Sequence, residues 1–316
     1  MMPSKIALVR AAYDTIYEDL VRVFDLADGP KPEPEASVVI KINLCDARTV
    51  DTGAITHPLS LDALMRCLRE RYEGLKLYVV ESDGEVAIPE KFMRWFGFLP
   101  ALERWNARFV NLSEAPADEV MIKGWHFKSL PVPYLLKDSY FITMAKLKTN
   151  ALSQITCALK NQFGCLPMTQ KGVYHSVLDD AIVDANLAYT PHFCIVDGIV
   201  GQGGVQGPAF GIPIHAGALI TGHDPVAVDS LCAQLIGFNP KRVGHIRKAA
   251  ASGLGSMEYI QVGDELPQVD FEIRRLETFI FRLGAAWKRR SLLLHRQAAA
   301  RRHELRRLHT TSGASG

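Results

Sequence analysis

Short apolar runs alternate along the chain with segments whose apolar residues recur every three or four positions. The runs at 6–9, 38–42, 77–80, 140–144, 193–196, 217–221 and 259–262 have the length and composition of buried strands. Helical spacing occupies 13–26, the segment after Thr56-His57-Pro58, 91–107, 182–187, the segment after Asp224-Pro225, and 243–251. Leu59, Leu61, Leu64, Met65 and Leu68 would bury one side of the second of these, and Val226, Val228, Leu231 and Leu235 one side of the fifth. Asp224 is placed to cap the fifth helix, with Pro225 at its first position. Weaker strands are expected at 108–112, 120–122 and 127–132.

This strand–helix–strand order predicts an α/β fold, with a mixed, mostly parallel sheet flanked by helices. Residues 1–270 are expected to form one domain, with 91–136 as a small inserted subdomain. Beyond 270 the pattern changes. Residues 271–309 have few helix breakers and carry Phe279, Phe281, Trp287, Leu292 and Leu294 among eleven Lys or Arg and three Glu. The whole chain has a net charge of +2, so the rest of it sums to −6. A C-terminal basic amphipathic helix of this kind suits an anionic membrane surface or docking on protein. Residues 310–316 should be disordered.

At 48% apolar and 22% charged residues, the composition is that of an ordinary globular protein. No window approaches the roughly 20 apolar residues that a spanning helix needs. MMPSKIALVR lacks the apolar core of a signal peptide, so a cytoplasmic setting is expected, with the tail peripheral to the inner face of a membrane. An acidic body without a binding motif disfavours nucleic acid. Cys45, Cys67, Cys157, Cys165, Cys194 and Cys232 form no C-x-x-C pair, which leaves iron–sulfur clusters and zinc ribbons without a local signature.

Chemistry concentrates in 140–167, YFITMAKLKTNALSQITCALKNQFGCLP. An apolar strand runs into Lys146 and Lys148, which alternation puts on one face. Ile155, Leu159 and Phe163 then predict a helix that ends at Gly164, with Lys160 and Asn161 beside them. The strand at 38–42 delivers Lys41 and Asn43 to the same end of the sheet, where open α/β sheets bind ligands. A solvated basic loop would explain a lone lysine, but these charges interrupt the most apolar part of the chain. Neighbouring ammonium groups repel unless an anion lies between them or one loses its proton. Lys41, Lys146 and Lys160 are therefore the candidate catalytic groups. They would act as proton-transfer bases or Schiff-base amines, or as a clamp on an anion or a developing enolate.

Asn43, His57, Lys148, Asn161, Asp197, Gly203, Gly204 and Asp229 are candidate binding residues. Asp197, Asp229 and Glu81 would balance the charge; Asp229 sits in an apolar stretch and needs a partner, for which a lysine is the candidate. The six glycines from Gly198 to Gly211 match neither Walker A nor G-x-G-x-x-G in register. They suit a flexible lid or a loop that wraps an anion. No metal is assigned, because His57, His175, His215 and His223 lack H-x-x-x-H and H-E-x-x-H spacing.

Taken in order, KINL, THP, VVESDG, AKLKTN, CALKNQFG, VDGIVGQGG, HDPVAVDSLCAQLIG and GLG resemble domain-of-unknown-function family 362, over 37–263. Lys41, Asn43, Lys146, Lys160, Asn161, Gly164, Asp197, Gly198, Asp224, Pro225 and Asp229 match its pattern. The family includes members fused to ferredoxin-like iron–sulfur modules. This chain lacks the cluster cysteines, so the resemblance implies site residues and not a redox role, and the cofactor is unknown. The expected function is an enzyme acting on a small carboxylated or phosphorylated metabolite by proton transfer, of racemase, epimerase or lyase type. The competing expectation is a non-catalytic binding or accessory protein, brought to a membrane-associated or redox partner by its tail.

Overall fold

The structure, a computed structural model, describes residues 3–84, 87–168, 170–204, 211–273, 276–280 and 283. Residues 1–273 form one compact unit and residues 274–316 a second. In the second, 276–280 and 283 are helical; of the basic helix expected over 271–309, residues 271–273 are not helical and belong to the first unit, and the rest lies outside the described residues.

The strands of the first unit are β1 (Ser4–Arg10), β2 (Ser37–Lys41), β3 (Lys76–Glu81), β4 (Ala107–Asn111), β5 (Ala117–Met121), β6 (Ser129–Pro133), β7 (Tyr140–Asn150), β8 (Gln154–Thr156), β9 (Phe193–Gly204), β10 (Gly211–Ile214), β11 (Ala218–Gly222) and β12 (Tyr259–Gly263). Eight of them run across the main sheet in the order β12-β1-β11-β9-β7-β2-β3-β4, with β10 added to β9 and β8 to β7. Pairing is parallel from β9 through β7, β2 and β3 to β4, and again between β1 and β12. It is antiparallel around β11. The mixed, mostly parallel sheet is the one the sequence predicts. β5 and β6 pair separately.

Strands covered on both faces need apolar residues at successive positions, which is why β7 and β9 read as runs and not as alternations. Ile40, Ile42, Met144 and Ile195 point into one layer, with the helices Ile16–Leu26 and Pro58–Arg71. Val39, Ala145, Leu147 and Val196 point into the other, with Leu178–Ala188, Pro225–Ile236 and Gly244–Ala251. The helical stretch expected at 91–107 is two short helices, Pro89–Trp95 and Leu99–Arg104, separated by Gly97 at φ +78°.

Two expectations are corrected. The helix predicted after Asn150 does not start there. Asn150 Oδ1 accepts hydrogen bonds from the backbone N–H groups of Leu152 and Ser153, which closes a tight turn. The chain then returns as β8, antiparallel to β7, and Ile155 lies on that strand. Helix is confined to Ala158–Asn161, followed by a 3₁₀ turn, Gln162–Cys165.

The glycine-rich segment is, as far as Gly204, a strand and not a loop. β9 is bulged against β7: Lys146 lies opposite Asp197, but Lys148 lies opposite Gln202. Leu147 packs into that bulge. A Cβ on Gly198 would stand 2.8 Å from Leu147 Cδ2, and one on Gly201 2.7 Å from the Leu147 carbonyl oxygen. These glycines answer a packing demand.

Candidate active site

The carboxyl ends of β2 and β3, the last turn of β7 and the middle of β9 bring charged side chains into an otherwise apolar interior. Lys41, at the end of β2, is buried, and its Nζ lies 2.8 Å from Glu81 Oε1, also buried. It donates as well to the Ile42 carbonyl oxygen at 2.6 Å and to Asn161 Oδ1 at 3.5 Å. Gly164 packs directly above, where a Cβ would stand 2.8 Å from Lys41 Nζ.

Asn161 is the hub of this group. Its Nδ2 donates to the Lys41 carbonyl oxygen (3.1 Å) and to Thr143 Oγ1 (2.9 Å), and its Oδ1 accepts from Asn43 Nδ2 at 3.2 Å. Asn43 Oδ1 in turn accepts from Lys148 Nζ at 2.8 Å. Lys148 completes its three donors on the Ala54 carbonyl oxygen (2.8 Å) and the exposed Cys45 thiol (3.4 Å).

Lys146, two residues before Lys148 on β7, has other partners. Fully buried, its Nζ lies 3.1 Å from Asp197 Oδ2 and donates to Tyr13 OH at 3.2 Å. Burial pulls the proton affinity of Lys146 down, and Asp197 opposes that pull. Asp197 also accepts from Ser60 Oγ at 3.0 Å. Burial and the Asp197 charge push the Tyr13 phenol well above its ordinary range. His57 stacks on the Tyr13 ring at 3.8 Å and accepts the Leu59 N–H on Nδ1, so its proton is on Nε2. Burial lowers the proton affinity of His57.

Lys160 differs from all of these. It is half-buried, and no hydrogen bond or ion pair to its ammonium forms among the described residues. Burial, and then the charge of Lys148, lower its pKa to about 7. The two lysines thus stand close enough for repulsion to matter.

The residues expected at one site therefore fall into two groups, with Asp229 and the two glycines outside both. Lys41, Asn43, Lys148 and Asn161 share one hydrogen-bonded network, and the charge of Lys148 acts on Lys160. Lys146, Asp197 and His57 form a second group against Tyr13. Asp229 belongs to neither, and its expected lysine partner is corrected: its carboxylate accepts the N–H groups of Ala158 (2.7 Å) and Leu159 (3.2 Å) and faces His245 Nε2 at 3.8 Å. Gly203 and Gly204 lie on β9 and not in a loop. Gly203 pairs with Ile212 on β10, a Cβ on it would meet the Phe271 carbonyl oxygen at 2.4 Å, and Gly204 donates its N–H to that oxygen.

Tyr13, Ser60, Cys45 and Lys171 carry no sequence signal that would have singled them out. Lys171 donates to Ser82 Oγ (2.8 Å) and to the Asp83 carbonyl oxygen (2.6 Å), and burial lowers its pKa to about 8. Among the described residues, no three His, Cys, Asp or Glu side chains stand together as a metal ion would need.

A protein family described as "Domain of unknown function (DUF362)" matches residues 38–234. A thylakoid-associated protein of Synechocystis is 29% identical over 219 residues, which cover 67% of this chain and 66% of that protein. Two solved structures overlap it in part, each at 12% identity and a TM-score of 0.39. The lactate racemase apoprotein from Thermoanaerobacterium thermosaccharolyticum is matched over 74% of this chain and 57% of its own. A Thermotoga maritima protein is matched over 65% and 54%. The chain thus spans just under two thirds of the curated relative and little more than half of each solved chain.

Proposed function

The chain belongs to domain-of-unknown-function family 362, and from that premise we propose that it is an enzyme that binds a small carboxylate or phosphate at Lys148 and Lys160 and moves a proton on it. The observation that supports this reading is a charge imbalance. Among the described residues, Lys41 has Glu81 and Lys146 has Asp197, but Lys148 has only neutral acceptors and Lys160 has none. An anion completes such a site by neutralising charge that the fold leaves uncompensated. The Cys45 contact, long and at the surface, is the one an incoming oxygen would replace on Lys148. Lys160, with a pKa near 7, both accepts and returns a proton at neutral pH, as a racemase, epimerase or lyase requires.

The test has two stages. Calorimetric titration with inorganic phosphate and with a set of mono- and dicarboxylates should give binding to the wild type that Lys160→Met weakens. Proton NMR in D₂O should then show wild-type-dependent loss of the Cα–H signal from a bound 2-hydroxy or 2-amino acid. Absence of any anion binding, or unaltered binding and exchange in Lys160→Met, sinks the reading.

A second reading concerns where the protein works. The Synechocystis relative is described as thylakoid-associated, and residues 271–309 are strongly basic. No helix among the described residues is long and apolar enough to cross a membrane. The tail would therefore hold the protein at an anionic lipid surface, or on a protein partner there, by charge and apolar contact. Full-length chain should float with anionic vesicles, less so in high salt, and a chain ending at Phe271 should not. Equal behaviour of the two excludes the idea.

A further inference from the structure

We propose that Lys160 is a covalent amine: it forms a Schiff base with the carbonyl group of a small acid, such as a 2-oxo acid, whose carboxylate is held by Lys148. This rests on the anion-site reading above and adds to it the class of substrate and the bond that forms.

The assignment follows from what each lysine is already bound to. Lys41 Nζ is committed to Glu81, the Ile42 carbonyl and Asn161. Lys146 is committed to Asp197 and Tyr13. Lys148 has all three of its hydrogens on acceptors. A nitrogen tied in this way to several acceptors is held in place and is not free to turn toward an incoming carbon atom. Lys160 alone of the four has no such acceptor among the described residues, and it is reachable from solvent.

Its surroundings favour the neutral amine, through burial and through the cation of Lys148. A cationic neighbour and a desolvated stem are what activate Schiff-base lysines generally. Its backbone is also fixed. Asp229 holds the N–H groups of Ala158 and Leu159, and Asn161, the next residue, is pinned to Lys41 and Thr143.

The step balances as follows. The Nζ lone pair of Lys160 attacks the carbonyl carbon, and the C=O π pair moves to oxygen, which takes a proton. The carbinolamine hydroxyl then takes a proton from solvent and leaves as water as the C=N bond forms, so that Nζ keeps one hydrogen and the imine is the protonated, cationic form. The imine draws electrons from the neighbouring carbon, so a C–H or C–C bond there is weakened without any added oxidant or reductant. Lys148 lies opposite Thr156 on β8, the strand that leads into the helix of Lys160, and it is held by neutral acceptors alone. It is the group that would fix the carboxylate and so turn the carbonyl carbon toward the amine.

The experiment is reductive trapping. The full chain is incubated with pyruvate and sodium cyanoborohydride at pH 7, digested, and mapped by mass spectrometry, with acetone as a carbonyl lacking the carboxylate. An adduct at Lys160 about tenfold or more above any other lysine, and much weaker with acetone, is expected. Lys160→Met should lose it. Lys160→Arg, which keeps the charge, should bind pyruvate by calorimetry and still form no adduct there. Pyruvate binding to the wild type without an adduct at Lys160 overturns the covalent role and leaves the anion site standing. No binding of pyruvate, phosphate or other carboxylates removes both.

Discussion

Lys146 Nζ and Asp197 Oδ2 lie 3.1 Å apart with neither side chain exposed, and the two residues face each other across neighbouring parallel strands. Tyr13, in the turn before the helix Ile16–Leu26, and Ser60, in the first turn of Pro58–Arg71, both touch the pair. A buried ion pair is costly to break from one side, because the remaining charge has no solvent to turn to. Lys146→Met or Asp197→Asn should each lower stability by about 3–5 kcal/mol, and the double variant by clearly less than the sum. Urea denaturation of the four proteins reads the coupling directly; additive losses would show that the pair is not one unit.

Lys160 should betray itself by pH. Its folded pKa is lowered to about 7 by burial and then by Lys148, whereas an unfolded lysine titrates near 10.4. Between those values the unfolded chain holds a proton that the folded chain has lost, so stability rises with pH across that window. Lys160→Met should flatten the rise, being most favourable relative to wild type below pH 7. The neutral fraction of Lys160 at pH 7 should exceed that of an exposed lysine by on the order of 10³. Acetic anhydride labelling at pH 7, read by peptide mass spectrometry, should therefore find Lys160 first. Labelling at the rate of exposed lysines would contradict the environment described.

Gly164 has no unusual φ, so its lack of a side chain serves the Lys41–Glu81 pair. A Cβ would stand 2.8 Å from Lys41 Nζ and 3.1 Å from Glu81 Oε1. Either atom could yield if it were free, but both are buried and bonded. Gly164→Ala should cost about 1–3 kcal/mol by overpacking, and it should weaken anion binding by displacing Lys41 from Asn161. Thermal unfolding and phosphate titration check the two effects separately. Wild-type values in both would mean that the network tolerates the shift.

Much of this was legible in the chain because apolar runs and lysines are local signals. Lys41 and Asn43 converge with Lys148 because β2 ends at Lys41 and Lys148 lies near the end of β7, and parallel strand ends meet on one edge of a sheet; Asn161 joins them from the helix Ala158–Asn161. What escaped depends on distant partners. Ile155, Leu159 and Phe163 have helical spacing, yet the hydrogen bonds made by Asn150 close a hairpin first. Spacing alone does not reveal a turn that outcompetes it. The glycines of β9 look like a loop because the residue that demands them, Leu147, lies on another strand. Tyr13 and Lys171 gain meaning only from Asp197 and Ser82, far away in sequence. Asp229 was recognised as needing a partner, but a sequence does not say that the partner is a backbone.

A buried histidine faces the carboxylate that caps the helix of Lys160. His245 is fully buried, with Nδ1 3.5 Å from Asp179 Oδ1 and Nε2 3.8 Å from Asp229 Oδ2. Burial alone would lower its pKa; the two carboxylates outweigh burial and raise it. A histidine raised in the folded state contributes stability that is fully present below its unfolded pKa of about 6.5 and is lost as pH rises through the folded value. Asp229 meanwhile caps the short helix that carries Lys160. His245→Gln should therefore destabilise by about 1–3 kcal/mol near pH 6, and by less near pH 9. It should also shift the labelling profile of Lys160, because Asp229 loses the cation that faces it. Denaturation at both pH values with labelling of the same samples tests this. A loss independent of pH would reduce His245 to a packing residue, and an unmoved Lys160 profile would separate it from the site.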